Sequence, residues 1–208
     1  MVRSTAKRSK GFSVVELVVA MAVVLIVSAI AAPKVMNSIY SMRLRSSAYE
    51  MSGLMQAARM QAVRDNTYYY VCYATSNNIT QAWITNDGTC ASSSLTATVK
   101  QVQFGGNVVV SSSSVPNTSN LTGQLSFTPT TGAVASAKPA FGPRGVPCYV
   151  VSSRCDNIVT VGGSTQTVSF ILYQTDSRTS GSNGWAAVTV SPSGRTQVWM
   201  YSGTTWRR

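Results

Sequence analysis

The chain has 208 residues, 44 % of them hydrophobic and only 11 % charged, too apolar for a disordered protein and well below the quarter share of charge usual in globular domains. Seventeen Lys and Arg against six Asp and Glu give a net charge of +11, and there is no histidine. The commonest metal ligand and the commonest general base are therefore missing, a Ser-His-Asp triad is excluded, and the positive excess points to a membrane surface or a polyanion.

The charge is concentrated at the start. Arg3, Lys7, Arg8 and Lys10 precede Gly11 with no acid among them, which leaves seven net positive charges for the rest of the chain. From Phe12 to Ala32 runs FSVVELVVAMAVVLIVSAIAA, an apolar segment with one charge, Glu16. A helix of that length rises roughly 30 Å, the thickness of a bilayer's hydrocarbon core. The basic cluster is expected to stay cytoplasmic and the chain beyond Pro33 to lie on the far side. A carboxylate within such a span costs up to about 3 kcal/mol and marks function. A rival reading takes Ala29-Ile30-Ala31 as a secretory cleavage site that releases a soluble periplasmic protein. Glu16 inside the apolar stretch and the Gly-Phe junction after the basic residues speak against it.

KGFSVVELVV, Lys10 to Val19, resembles the class III leader of type IV pilins and type II secretion pseudopilins. The resemblance implies that a prepilin peptidase cuts between Gly11 and Phe12, that Phe12 is N-methylated, and that the apolar helix is retained. It also implies that Glu16, fifth from the new terminus, pairs with the terminal amine of a neighbouring subunit. A carboxylate in a low-dielectric bundle needs such a partner. Pro33 stands where many pilins have a proline, and is expected to break or loosen the helix.

After Pro33 an amphipathic helix is expected to about Asn66, with Val35, Ile39, Met42, Met51, Leu54, Met55, Ala58 and Ala62 recurring at three and four. Met51, Met55 and Met60 read as core, whereas Arg43, Arg45, Arg59 and Arg64 read as a solvated face. Beyond Asn66 short runs of Val, Thr, Tyr, Phe and Trp alternate with Gly, Asn, Ser and Pro. They predict strands at 67–74, 79–85, 98–104, 107–111, 124–128, 148–151, 158–161, 167–173, 185–191 and 195–201, with loops at 111–114 and 175–184. The fold class is α+β: a long N-terminal helix, membrane-spanning in its first half and amphipathic in its second, packed on an antiparallel β-sandwich-like domain. The expected organisation is a leader at 1–11, an assembly helix at 12–32, a scaffold helix at 33–66 and a β-rich periplasmic domain at 67–208.

RLRSSAYEMSGLMQAARMQAVRDNTYYYVCY from Arg43 to Tyr73, FGPRG at Phe141–Gly145 and VSPSGR at Val190–Arg195 are similar to the GspH/FimT group of minor pilins and pseudopilins. A minor subunit that primes or caps a filament is thus favoured over a major pilin. Its implied partners are other pilins or pseudopilins, the prepilin peptidase and the bacterial inner membrane. Cys72, Cys90, Cys148 and Cys155 show no metal spacing. In an oxidising periplasm they form disulfides, and of three connectivities Cys72–Cys90 with Cys148–Cys155 closes the shortest loops.

No cofactor, metal or catalytic group is expected. A Ser-Lys pair would need Lys34, Lys100 or Lys138, and no motif surrounds them; Asp87, Asp156 and Asp176 would have to meet by fold alone. A second binding reading concerns DNA. Some members of the FimT branch take up DNA through a basic motif near the chain end, and Gly194-Arg195 resembles its start, although Thr196 and Gln197 follow where another arginine is expected. A strand at 195–201 would line Arg195, Gln197, Trp199 and Tyr201 on one face, with Arg207 and Arg208 beyond, combining phosphate contact with stacking. The plainer reading, in which the aromatics pack in the sheet and the tail is disordered, is preferred.

Overall fold

The computed structural model describes residues 13–88, 90, 100–130, 138–151, 154–161, 163–176, 178 and 184–208. They fall into two compact units, one ending at Ile39 and one running from Tyr40 to Arg208.

Helix α1 (Val14–Arg64) has a single proline and a single glycine in 51 residues. It runs through Pro33 without ending, which corrects the expected break: strong helix formers on both sides outweigh the one hydrogen bond that proline removes. In the first unit its apolar side chains are exposed all round, so this unit has no core of its own. Val35 and Ile39, expected on a buried stripe, belong to that exposed part.

In the second unit the helix is amphipathic. Leu44, Ala48, Met51, Met55, Ala58 and Ala62 are buried at alternating steps of four and three, which place them on one face. Met42 and Met60 lie off that stripe and are exposed, so Met60 is not the core residue that was expected. The helix ends at Arg64 and is capped by Asn66, whose φ of 50° is left-handed. The Thr67 amide donates to the Ala62 carbonyl at 3.2 Å, the closing bond of a Schellman motif.

Two antiparallel sheets complete the unit among the described residues. The first has the order β3-β2-β1-β5-β6-β7, from β1 (Tyr69–Ser76), β2 (Ile79–Thr85), β3 (Lys100–Gln103), β5 (Ala140–Phe141), β6 (Pro147–Val151) and β7 (Arg154–Asp156). The second has the order β13-β12-β11-β10-β4, from β4 (Val108–Val110), β10 (Phe170–Asp176), β11 (Trp185–Val190), β12 (Thr196–Tyr201) and β13 (Trp206–Arg207). A separate ribbon pairs β8 (Ile158–Val161) with β9 (Ser164–Thr167). Asn77 and Asn78, both at positive φ, form the tight turn that fixes the β1–β2 register.

The main core joins the buried α1 stripe to Tyr69 and Val71 of β1, Ala82 and Ile84 of β2, Phe170 and Leu172 of β10, and Val188 of β11. The opposite face of the second sheet carries a smaller core of Leu121, Ile171, Ala187, Trp199, Tyr201 and Trp206. Leu121 comes from α2 (Thr118–Gly123). Residues 124–128, expected as a strand, follow this helix as an irregular stretch instead. The helix is held by tertiary contacts: the Trp206 indole donates to the Pro116 carbonyl at 3.1 Å, and the Asn117 side chain donates to the Tyr201 hydroxyl and the Thr204 carbonyl, both at 3.0 Å. Residues 167–173 divide between the end of β9 and the start of β10, and Thr175 and Asp176, expected in a loop, close β10. Residues 98 and 99 of the third expected strand lie outside the described residues.

Candidate functional site

The first unit carries the most one-sided surface. Val14, Leu17, Met21, Leu25, Ile26 and Ile30 are all at least half exposed, Leu25 at 70 %. Leaving a large apolar side chain in water forgoes about 1.5–3 kcal/mol each, so this surface calls for lipid or other helices. The only charge on it up to Ile30 is Glu16, in the first helical turn. A carboxylate there complements the positive end of the helix dipole. Gly11 and Phe12, the expected processing site, lie outside the described residues.

The cysteines form two cross-links. Cys72 of β1 bonds Cys90 with Cα atoms 5.5 Å apart, and Cys148 of β6 bonds Cys155 of β7 at 5.3 Å; both spacings are ordinary for disulfides. Gly142 packs against the second bridge: a Cβ there would sit 2.6 Å from the Cys155 sulfur. Among the described residues no cluster of three His, Cys, Asp or Glu is arranged to hold a metal.

At the C-terminal hairpin half of the plainer reading holds, since the aromatics pack in the sheet, and half is corrected, since the tail is ordered. Arg195, Arg207 and Arg208 are exposed, but Trp199 is 1 % exposed and Tyr201 and Trp206 are buried with it in the smaller core. The face that Trp199 and Tyr201 share is covered by Leu121 of α2 and Trp206 of β13. In the tail, β13 pairs with β12 through Met200–Arg207 and Tyr201–Trp206. The Arg208 guanidinium lies 4.6 Å from the centre of the Trp199 ring, a cation–π contact that closes the core from outside.

FGPRG and VSPSGR, far apart in sequence, meet on one helical side chain. Gly194, at φ +79°, is held so closely that a Cβ would collide with the Gly145 carbonyl oxygen and come within 3.2 Å of Arg59 Nε. A Cβ at Gly145, at φ +71°, would lie 3.1 Å from both Arg59 Nε and Val63 Cγ2. Only glycine combines this conformation with this approach. Arg59 donates to the Gly194 carbonyl at 3.2 Å, and one and two turns earlier Gln56 and Ser52 donate to the Thr196 hydroxyl at 2.8 and 3.1 Å. Arg59 is half-buried and anchors the two turns, which a reading of helical charge as a solvated face missed. The glycines in both motifs were the available signal.

Two acidic contacts fix the ends of the second unit's helical part. The Tyr69 hydroxyl donates to Asp65 at 2.7 Å, and Arg64 and Gln61 bond the same carboxylate. The hydrogen bond from Tyr69, then that from Arg64, hold Asp65 below the ordinary carboxylate range. Burial, then the Asp65 carboxylate, raises the Tyr69 phenol. At the other end, Arg178 bonds buried Asp176 at 2.9 Å and the Gly106 carbonyl at 2.5 Å, and stacks 4.5 Å from the Tyr40 ring centre. Its bonds to Asp176 raise the guanidinium pKa further.

An apolar N-terminal helix with one acid in its first turn, followed by a β-rich domain on the same chain, defines a pilin-like protein. Comparison with known families supports this class. The prokaryotic N-terminal methylation motif matches residues 6–32, and the family described as type II transport protein GspH matches residues 47–194. The second match spans most of the chain, which belongs to the GspH family. Neither the curated proteins nor the solved structures yield a match.

Proposed function

We propose that the chain is a minor subunit of a type IV pilus or type II secretion pseudopilus, and that its work is assembly. In this reading residues 1–11 are a leader removed by prepilin peptidase between Gly11 and Phe12, and Phe12 is then N-methylated. Residues 12–32 hold the subunit in the inner membrane until the helix passes into the filament. Residues 33–66 form the scaffold helix, and 67–208 the periplasmic domain that selects the neighbouring subunit. Glu16 pairs with the terminal amine of that neighbour, Pro33 loosens the helix during the transfer, and the two disulfides brace the domain on the oxidising side.

The observation that carries the proposal is the exposed apolar surface of the first unit with its single acid, within the segment that matches the methylation motif. Retention of that segment is consistent with α1 itself, since Ala29-Ile30-Ala31 lies inside the continuous helix Val14–Arg64. A DNA-binding role has the exposed Arg195, Arg207 and Arg208 in its favour, but the stacking surface it called for is buried.

Glu16→Ala tests the pairing. Insertion into the membrane and leader cleavage should persist, because a charge is removed from an apolar segment. Recovery in sheared filaments should fall severalfold, because the neighbour's amine loses its partner. Normal recovery would contradict the pairing.

A further inference from the structure

A groove of about 670 Å³ lies beside the point where the two glycine turns meet the helix, lined among others by Gln56, Arg59, Met60, Val63, Arg64 and Arg195. We infer that this groove docks an acidic, partly apolar segment of a different filament subunit. The inference rests on the assembly reading above and names the surface and chemistry through which this subunit selects a neighbour.

The lining has two parts. Met60 and Val63 are 67 % and 53 % exposed, an uncovered apolar pair on a helix whose opposite face is fully packed. Around them stand three arginines, and no acid is among the described residues that line the groove. Arg59 uses one of its five donors on the Gly194 carbonyl. Arg64 pairs with Asp65, both of them exposed. Arg195 is exposed, and the ion pairs among the described residues, Arg64–Asp65 and Arg178–Asp176, do not involve it. Apolar contact with an arginine rim is the composition of a protein-docking surface. The walls are also preformed: the bonds of Ser52 and Gln56 to Thr196, and the seat of Gly194 against Gly145, hold the rim to the helix. Little ordering is then left to the docking event.

Charge complementarity selects the occupant. The arginines require carboxylates, and Met60 and Val63 require an apolar side chain between them. This chain does not supply such a segment. Its six acids are scattered singly, none within ten residues of another, and two copies without the leader, each with seven net positive side-chain charges, repel. The occupant is therefore another subunit. A nucleic acid would meet the arginines but would find apolar side chains where it needs stacking partners, since Trp199 and Tyr201 are buried.

The test uses the purified full-length chain in detergent micelles and a fluorescein-labelled peptide of Leu, Glu, Gly and Ser, read by anisotropy. Three competitors are added in turn: the same peptide with Gln for Glu, the same with Ser for Leu, and duplex DNA. Binding that weakens with salt is expected, with the labelled peptide displaced poorly by either altered peptide. Arg195→Glu and Val63→Asp should each weaken it about tenfold or more, the order expected for a reversed or misplaced charge in a docking site. Both positions are exposed, and unchanged melting and circular dichroism confirm folding. The inference is overturned if the acidic peptide does not bind, if both variants bind it as the parent does, or if duplex DNA binds in its place. None of these outcomes touches the assembly reading, which fails separately if Glu16→Ala enters filaments normally.

Discussion

Asp65 shows how one side chain joins the end of α1 to the first strand. Its carboxylate receives Tyr69, Arg64 and Gln61 together, and its pKa in the folded chain lies below the ordinary value of 3.8. A depressed carboxylate contributes stability above its unfolded pKa and loses it as pH falls through the folded one. The junction is therefore expected to hold above about pH 4 and to weaken below it. Asp65→Asn removes the titrating group, so its melting temperature, followed from pH 6 to pH 2, should fall less steeply than the parent's; equal slopes would assign the acid sensitivity elsewhere. Sequence exposed only part of this scale. The glycines of FGPRG and VSPSGR stood out as motifs, but that both close on Arg59 is a tertiary fact which neither motif contains. Glu16 stood out because it is the single acid in an apolar run.

At the scale of elements, the long pieces were readable and the shortest mostly were not, β4 within the expected 107–111 being an exception. The buried stripe of α1 followed from steps of three and four, and β2 and β8 lie where alternation placed them. Met60 misled because methionine suggested core, although its position falls between the buried turns at Ala58 and Ala62. Strands β5, β7 and β13 have two or three residues each, too few to show a period, and exist by pairing with longer neighbours. Helix α2 is likewise defined by its cover over Trp199, Tyr201 and Trp206 and not by its own pattern. Trp206 anchors that cover from the last strand. Trp206→Ala should destabilise the second unit by about 3–5 kcal/mol, whereas Arg207→Ala, on the exposed side of the same strand, should stay within about 0.5 kcal/mol. Urea denaturation of the full-length chain in detergent measures both. Equal effects would mean that the tail does not seal the smaller core.

On the scale of the whole molecule, the two units divide the physics. One buries nothing and presents apolar surface with a single acid; the other encloses two cores, two disulfides and a basic groove. A soluble protein would have no use for the first unit, and a simple membrane anchor would have none for Glu16. Retention of the apolar helix behind a trimmed, methylated terminus accounts for both, and is the central claim. Intact-mass and terminal-peptide mass spectrometry of the chain purified from its native membrane tests it most directly. The account predicts a mature chain beginning with N-methylated Phe12, and an unprocessed one when Gly11 is replaced by a bulky residue. A mature chain that begins at Ala32 would contradict it.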